Sequence, residues 1–274
     1  MEKQKYYKCI PDDFWKMTQE DCHAKNYLDA YSILARGFWC CENKPKEGKL
    51  LLTGINPSYT GINPSYNRTL DIQTTPFSDL KGGFWEKKKE QFGELWNDDT
   101  MSYLDLFPIR ETDQRRFEQS FDVNEHVRSI RGNILKVTQD AIEEMKPRLI
   151  VHANKGSLYY WGIKKNTPAG DDANDYEHPW LGYKVKRVTP EIYKDLPLCM
   201  RQDDRLSLFP LYEIVGFIDS YKRINHIERQ ETNLKFIMEY VMDGRHPKYN
   251  GKLYQQNKEK KEWDDIWNWV KKHS

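Results

Sequence analysis

Short apolar runs that alternate with a helical periodicity constrain the fold of this chain more than any other feature. Residues 49–54 and 148–152 are nearly continuous apolar runs bounded by turn residues. Runs of this kind are typical of strands in a parallel sheet that is buried on both faces. Between them, residues 126–145 place apolar side chains on one helical stripe, and Pro147 ends this segment. A strand, a crossover helix and a second strand together indicate an α/β fold.

The same criteria predict further elements on both sides of this unit. Helices are predicted over 25–40, 84–96 and 230–242, and strands over 102–107, 183–188 and 213–218. Near the C-terminus, an apolar stripe predicts a helix that docks on the body of the fold; its members are Trp263, Ile266, Trp267 and Val270. The sequence therefore predicts a three-layer α/β/α sandwich with a short central parallel sheet.

The domain organisation follows from the absence of a linker-like segment in the sequence. Residues 1–274 are predicted to form a single domain. Within it, residues 1–47 would be an N-terminal helical extension and residues 245–274 a C-terminal helical extension.

Composition excludes several classes of protein. Forty-three Lys+Arg against 42 Asp+Glu leave a formal charge of +1, which excludes a polybasic tail but leaves room for a local basic groove. No apolar run approaches the roughly 20 residues of a membrane span, and the N-terminus has no apolar signal core. The five cysteines and seven histidines show no metal-ligand spacing. We therefore expect a cytoplasmic protein with reduced thiols, no membrane association and no structural metal.

Candidate site residues lie where the predicted parallel strands end, because ligands of α/β sheets bind beyond those carboxyl ends. Four segments fall there: 54–57, 105–113, 152–156 and 219–226. They contain no phosphate-binding glycine loop, no dinucleotide fingerprint and no G-x-S-x-G elbow, which argues against nucleotide-triphosphate, dinucleotide and esterase chemistry. What remains is an Asn-Pro turn with acids, a few basic residues and many aromatics. An amide in such a turn can orient water or bond a base edge, and aromatics can stack on an extruded base.

A short internal repeat makes the Asn-Pro turn ambiguous. Residues 53–59 recur at once as residues 60–66, so Asn56 and Asn63 are both candidates for one role. A tandem duplication that lengthened one loop is the simplest account, since solenoid repeats have periods of roughly 20 residues or more. Asn56 is favoured because it follows the predicted strand directly.

The strand that runs into Gly-Ile-Asn-Pro at 54–57 resembles the first motif of the uracil-DNA glycosylase superfamily, and most closely its mismatch-specific branch. In that branch a Pro-Phe pair precedes a Phe-Trp pair by six residues, and this chain has Pro76-Phe77 and then Phe84-Trp85. The resemblance covers roughly residues 48–162 and, more loosely, residues 213–242.

The resemblance implies a DNA base glycosylase, a hydrolase of DNA repair that cleaves the N-glycosidic bond of a flipped uracil-like, modified or mismatched base without metal or cofactor. Asn56, or Asn63 of the second copy, would orient the attacking water. Base contacts would come from Ile55, Phe77, Asp105 and Asn154, and DNA contacts from Ser58, Arg110, Tyr221, Lys222 and Arg223. DNA is the expected partner.

Two departures from the family pattern leave alternatives open. Asp105 stands where several branches have an Asn, and an ionised carboxylate only accepts hydrogen bonds, which favours a donor-rich base edge over uracil. Asp105 could instead pair with Arg110 or face a helix N-terminus. The His-Pro-Ser motif is also absent from residues 218–226. The alternatives are a non-catalytic nucleic-acid- or nucleotide-binding member of the same fold, and a hydrolase of free nucleosides or nucleotides.

Overall fold

Strands and helices alternate along the chain in the computed structural model, which describes residues 8–43, 46–59, 72–153, 160–163, 181, 183–201, 211–218, 229–230, 232–239 and 256–274. The helices are α1 (Asp12–Lys16), α2 (Gln19–Ala24), α3 (Leu28–Leu34), α4 (Gly83–Phe92), α5 (Gln114–Ser120), α6 (Glu125–Met145), α7 (Leu198–Arg201) and α8 (Gln256–His273). The strands are β1 (Phe38–Glu42), β2 (Leu50–Gly54), β3 (Ile72–Pro76), β4 (Met101–Asp105), β5 (Leu149–His152), β6 (Tyr183–Arg187), β7 (Leu211–Ile218), β8 (Arg229–Gln230) and β9 (Phe236–Glu239).

The central sheet has the strand order β4-β2-β5-β9-β7-β6, and β8 also pairs with β7. The four neighbouring strands β4, β2, β5 and β9 are parallel to one another, whereas β7 runs antiparallel to β9, β6 and β8. A separate two-stranded parallel sheet joins β1 to β3. The chain is therefore a mixed α/β protein with a mostly parallel central sheet, as predicted, and antiparallel strands extend that sheet on one side.

Successive side chains along the strands of the central sheet pack alternately into two hydrophobic cores. On β2, Leu51 packs in one core with residues of α6 and the N-terminal helices, while Leu50 and Leu52 pack in the other with residues of α4 and α8. All three leucines are fully buried. Because successive side chains of a strand point to opposite faces, a continuous apolar run supplies both cores at once. Helices thus cover both faces, which is compatible with a three-layer α/β/α fold.

The long helix α6 begins and ends close to where the sequence predicts. Asn124 caps it, since its side chain accepts a hydrogen bond from the N–H of Val127 at 3.1 Å. At the other end Lys146 adopts a left-handed conformation before Pro147, which cannot continue a helix. The apolar stripe faces the sheet, and this crossover element places β4 and β5 on opposite sides of β2.

Residues 25–40 do not form the single helix that their periodicity predicts. Helix α3 ends at Leu34, and Gly37 at φ +77° redirects the chain into β1. Residues 38–41 are two aromatics and two cysteines, which are well suited to a strand, and β1 finds its partner in β3. Strand β3 itself lies within residues that the sequence predicts as loop.

The predicted helix over 230–242 is wrong for residues 236–239, which form β9. Phe236, Ile237 and Met238 are all fully buried, because β9 lies between β5 and β7 and presents side chains to both cores. A short apolar run is compatible with a buried strand or a buried helix, and pairing with β5 decides between them.

The C-terminal helix α8 docks on the body of the fold, as its apolar stripe predicts. Trp263, Ile266, Trp267 and Val270 are buried, and the rings of Trp263 and Phe92 lie 4.5 Å apart between centroids. Helix α8 therefore completes the core between the sheet and α4. Of the helices in the described part of the chain, none has both the length and the apolar character that crossing a membrane requires.

Replacing Trp263 by Ala should lower the free energy of unfolding by about 3–5 kcal/mol, because it leaves a cavity between α8 and α4. The measurement is urea unfolding followed by far-UV circular dichroism. Asn268→Ala on the exposed side of the same helix is the matched control and should stay within about 0.5 kcal/mol of wild type. Equal losses in the two variants would contradict the docking of α8.

Candidate functional site

A cavity of about 590 Å³ opens at the carboxyl ends of β2 and β4. Its walls are the loop after β2, the end of β4, and the segment that leads into α4, together with residues of β1, β3 and the loop after β4. Gly54 and Asp105, the last residues of β2 and β4, are partners in the sheet register and both line the cavity. The cavity therefore lies at the edge of the sheet where α/β proteins bind their ligands.

Asp105 is a buried carboxyl at the inner end of this cavity, with 5% of its surface exposed. Its Oδ1 accepts a hydrogen bond from the Tyr103 hydroxyl at 2.6 Å, and its Oδ2 has no hydrogen-bond partner among the described residues. Burial raises the pKa of Asp105 to about 7, and the Tyr103 hydrogen bond offsets this rise in part. At neutral pH both the protonated and the ionised forms of this carboxyl are present.

The alternative pairing of Asp105 with Arg110 is wrong. Arg110 donates to Gln73 Oε1 at 2.9 Å, and its guanidinium lies 5.3 Å from the centre of the Tyr59 ring. Arg110 nevertheless lines the cavity, although its hydrogen bond goes to Gln73 and not to Asp105. Asp105 Oδ2 therefore has no cationic partner among the described residues.

Gly54 makes room for the Asp105 carboxyl. A Cβ on Gly54 would overlap both Asp105 Oδ1 and the Tyr103 hydroxyl oxygen. The φ of Gly54 is not in the left-handed region, so the constraint is space rather than backbone conformation. Only glycine at this position lets the Tyr103–Asp105 pair lie against the end of β2.

The Asn56 side chain is held in one orientation. Its Nδ2 donates to the Glu111 carbonyl at 2.6 Å and to the Ile109 carbonyl at 3.3 Å, with a longer contact to the carbonyl of Pro57. Its Oδ1 is buried and accepts no hydrogen bond from the described residues. Because three carbonyls surround Nδ2, the amide oxygen must be the atom left free. Asn56 Oδ1 and Asp105 Oδ2, two buried atoms that accept no hydrogen bond from the described residues, are the two open acceptors of this site.

Aromatic side chains form much of the cavity wall. Trp39, Phe84, Trp85 and Tyr103 line it, and the Trp85 ring meets the Tyr103 ring edge-on at 4.6 Å between centroids. Phe84 leaves 44% of its surface exposed at the start of α4. These rings offer flat apolar faces of the kind on which a planar heterocycle stacks.

Phe77, the ring that the resemblance assigns to base stacking, is not among the residues that line the cavity. It is 1% exposed and stacks on Trp96 with 4.7 Å between ring centroids. A 3-10 turn over Phe77–Asp79 directs the ring into the core that also holds Phe92. Ile55, another assigned base contact, is likewise buried in the core on the α6 side.

The basic residues after β4 divide into two groups. Arg110 forms the first group, since it lines the cavity. Lys81 and the exposed Ser58, which precede β4 in the chain, line the same cavity. Arg116 instead pairs with Asp29 at 3.1 Å and lies 3.8 Å from Glu111. Arg110 and Ser58 are therefore placed where a ligand's outer parts would lie, and Arg116 contributes surface ion pairs.

The remaining predicted site residues lie outside the described part of the chain. They are Asn63, Asn154, Tyr221, Lys222 and Arg223. The described residues hold no cluster of three His, Cys, Asp or Glu side chains that could bind a metal ion.

A second buried polar pair lies at the ends of β2 and β5. Thr53 Oγ1 and His152 Nδ1 are 2.9 Å apart, and both residues are fully buried. Burial and, to a smaller extent, the charge of Lys88 lower the pKa of His152 to about 3, so its ring is neutral. Neither residue lines the cavity, and the pair ties β2 to β5 beneath the loop that carries Asn56.

The structure adds site residues that sequence reasoning missed. Tyr103 precedes Asp105 by two positions, and the two-residue period of a strand places such a pair on one face, so this signal was present. Trp39 and Thr75 reach the cavity through the pairing of β1 with β3, for which no local pattern exists.

Comparisons with known proteins yield no match to a family model, to a curated protein or to a solved structure.

Replacing Gly54 by Ala should displace the Tyr103–Asp105 pair and lower the free energy of unfolding by about 1–3 kcal/mol, because the new methyl group overlaps both polar atoms. The measurement is urea unfolding at pH 7. Gly132→Ala in α6 is the matched control, since its added Cβ meets no described atom within 4 Å. That control should be neutral or stabilising by up to about 1 kcal/mol, and equal behaviour of the two variants would contradict the packing at Gly54.

The Asp105 carboxyl should make wild-type stability fall between pH 4 and pH 7. The folded state still binds a proton at Asp105 up to a pKa of about 7, while the unfolded chain releases it near the ordinary value of 3.8. The stability contribution is therefore full below pH 4 and is lost as the pH rises through 7. Relative to wild type, Asp105→Asn should gain up to about 4 kcal/mol between pH 4 and pH 8.

Urea unfolding of both proteins at a series of pH values measures this difference. The other titrating groups cancel between the two proteins, so the difference reports Asp105. A difference that does not change with pH would contradict the raised pKa.

Proposed function

We propose that the cavity binds a nucleobase flipped out of DNA and that the chain hydrolyses its N-glycosidic bond, as a glycosylase with a fold of the uracil-DNA glycosylase type. One observation carries this proposal: the two open acceptors, Asn56 Oδ1 and Asp105 Oδ2, belong to residues that line the same aromatic-walled cavity. A buried acceptor without a partner costs free energy unless a ligand or water supplies the missing hydrogen bond.

Asn56 is suited to holding the attacking water. Cleavage of an N-glycosidic bond passes through an oxocarbenium-like transition state, so a weak nucleophile suffices if it is held in place. The carbonyls of Ile109 and Glu111 hold the amide nitrogen, so the open oxygen cannot exchange places with it. A water that donates to this oxygen would be oriented without any rearrangement of the side chain.

Asp105 is suited to bonding the edge of the base. With a pKa of about 7, its ionised form accepts from a ring N–H and its protonated form donates to a ring carbonyl. The sequence-based preference for a donor-rich edge assumed an ionised carboxylate alone. A carboxyl with both forms present accommodates uracil-like edges as well.

The aromatic rings that line the cavity, and not Phe77, would stack on the base. Trp39, Phe84 and Trp85 are the candidates, since each lines the cavity and none is fully buried. Stacking of a base on an aromatic side chain contributes about 1–3 kcal/mol per base and tolerates different bases. The walls thus provide affinity, while Asp105 supplies selectivity.

The rival proposal is a non-catalytic member that holds the base without cleaving it. The anchoring of Asn56 to two backbone carbonyls favours this rival, because such an amide also has a purely structural role. The absence of the His-Pro-Ser motif points the same way. Base release and DNA binding must therefore be measured side by side.

The deciding experiment is alkali-labile strand cleavage of labelled duplexes that carry uracil, hypoxanthine, hydroxymethyluracil or mismatches. Wild type should release one of these bases, and Asn56→Ala should slow release by about 100-fold or more because the water is no longer positioned. Asn63→Ala, which removes the same amide from the second copy of the repeat, is the matched control and should leave the rate unchanged.

Mobility shifts with the same duplexes separate the rival from the proposal. Shifted DNA without base release from any duplex would support the binding-only member and overturn the glycosylase. Loss of activity in Asn63→Ala alone would transfer the water-positioning role to the second copy. Circular dichroism of Asn56→Ala must show an intact fold, since its amide also anchors the loop at 109–111.

A further inference from the structure

The start of helix α4 opens onto the same cavity as the two open acceptors. Lys81, Gly82, Gly83, Phe84 and Trp85 all line it. Gly82 is the N-cap residue at φ +109°, and no side chain of the described residues caps the helix. A Cβ on Gly82 or Gly83 would meet no described atom within 4 Å, so the space in front of the helix is open. The first N–H groups of a helix have no intrahelical partner and need one from elsewhere.

The charges around the start of α4 favour an anion. A helix N-terminus carries roughly half a positive charge, and Lys81 and Arg110 add basic side chains to the same rim. Asp105 is the one carboxylate among the described residues that line the cavity, and it belongs to the buried end. Acidic Glu86 in the first turn of α4 is engaged by Lys89 at 3.3 Å and does not line the cavity.

The buried end supplies the second, independent sign of a ligand. Asp105 is 5% exposed, lines the cavity, and keeps Oδ2 without a partner among the described residues. A ligand that satisfies both ends must present a hydrogen-bonding edge to Asp105 and an anionic group to α4. A nucleotide has both, with its base edge and its phosphate separated by the sugar.

We propose that the N-terminus of α4, with Lys81, binds the phosphate of the same nucleotide whose base contacts Asp105. This inference rests on the proposed function and deepens it, because it makes the phosphate part of what the cavity selects. The phosphate is either a phosphodiester of a DNA strand or the phosphomonoester of a free nucleotide. Both bind backbone N–H groups by the same charge-assisted hydrogen bonds.

A proline at Gly83 tests the backbone donor directly. Gly83 is the first residue of α4, a position where proline is well tolerated, and the substitution removes one N–H from the cavity. Gly83→Ala retains the N–H and is the matched control. Lys81→Gln removes the basic side chain, with Lys87→Gln as its control, since exposed Lys87 does not line the cavity.

Binding is measured by titration calorimetry with inorganic phosphate, deoxyuridine, dUMP and a uracil-containing single-stranded oligonucleotide. Whichever phosphate-bearing nucleotide probe binds wild type, Gly83→Pro should bind it roughly tenfold or more weakly than Gly83→Ala does, because Gly83→Pro loses one hydrogen bond to a charged group. Deoxyuridine binding should be equal in the two variants. Lys81→Gln should lower the affinity for the same probes, and Lys87→Gln should leave that affinity unchanged.

Two results would overturn the inference. One is equal affinity of Gly83→Pro and Gly83→Ala for both dUMP and the oligonucleotide, and the other is a wild type that binds no phosphate-bearing probe. If dUMP binds as tightly as the oligonucleotide, the phosphate is that of a free nucleotide. If only the oligonucleotide binds, the phosphate belongs to a DNA strand.

The failure of this inference is distinguishable from failure of the proposed function. The titrations need no base release. If the protein releases no base but Gly83→Pro binds the nucleotide more weakly than Gly83→Ala does, the phosphate site is supported and the glycosylase is contradicted. If the protein releases a base but Gly83→Pro and Gly83→Ala bind the nucleotide equally tightly, the proposed function is supported and the phosphate site is contradicted.

Discussion

The packing of Asp105 against Gly54 is the constraint on which the site depends. These residues end two adjacent parallel strands and face each other in register, and the carboxyl fits only because its neighbour has no side chain. The same pairing sets where the chain leaves β2, and therefore where Asn56 stands two residues later. The loop after β4 then returns its carbonyls to the Asn56 amide. One strand pair thus positions both open acceptors.

Burying a carboxyl with only one hydrogen bond costs stability, and the fold must offset that cost elsewhere. The hydrogen bond from Tyr103 stabilises the ionised form, but burial has the larger effect and raises the pKa of Asp105 to about 7. Apolar strands on both sides of β2 and helices on both faces supply the compensating burial. A ligand that donated a hydrogen bond to Asp105 Oδ2 would offset part of the same cost. Thr53 and His152, two other buried polar residues at strand ends, instead hydrogen-bond each other.

Local patterns in the sequence were enough to predict β2, β4, β5, α6 and α8, since each has a continuous apolar run or a clear helical stripe. They failed where pairing with a distant segment decides the structure. Strand β1 pairs with β3, and β9 pairs with neighbours on both sides; the residues of each are compatible with a strand, but the pairing decides between strand and helix. The site divides in the same way. Asn56, Ser58, Asp105 and Arg110 follow strand ends and were predicted at the cavity, whereas Trp39 and Thr75 arrive through the β1–β3 pairing. Phe77 shows that motif spacing predicts proximity to a site but not the direction in which a ring points.

The two copies of the duplicated heptapeptide have the same composition, so only their positions in the fold can distinguish them. Both copies carry the same amide, the same proline and the same tyrosine. In the copy joined to β2, the Asn56 amide donates to the carbonyls of Ile109 and Glu111, and the Tyr59 ring lies against the guanidinium groups of Arg36 and Arg110. The second copy, residues 60–66, lies outside the described residues. The position of the first copy directly at the end of β2 is therefore what assigns the water-positioning proposal to Asn56.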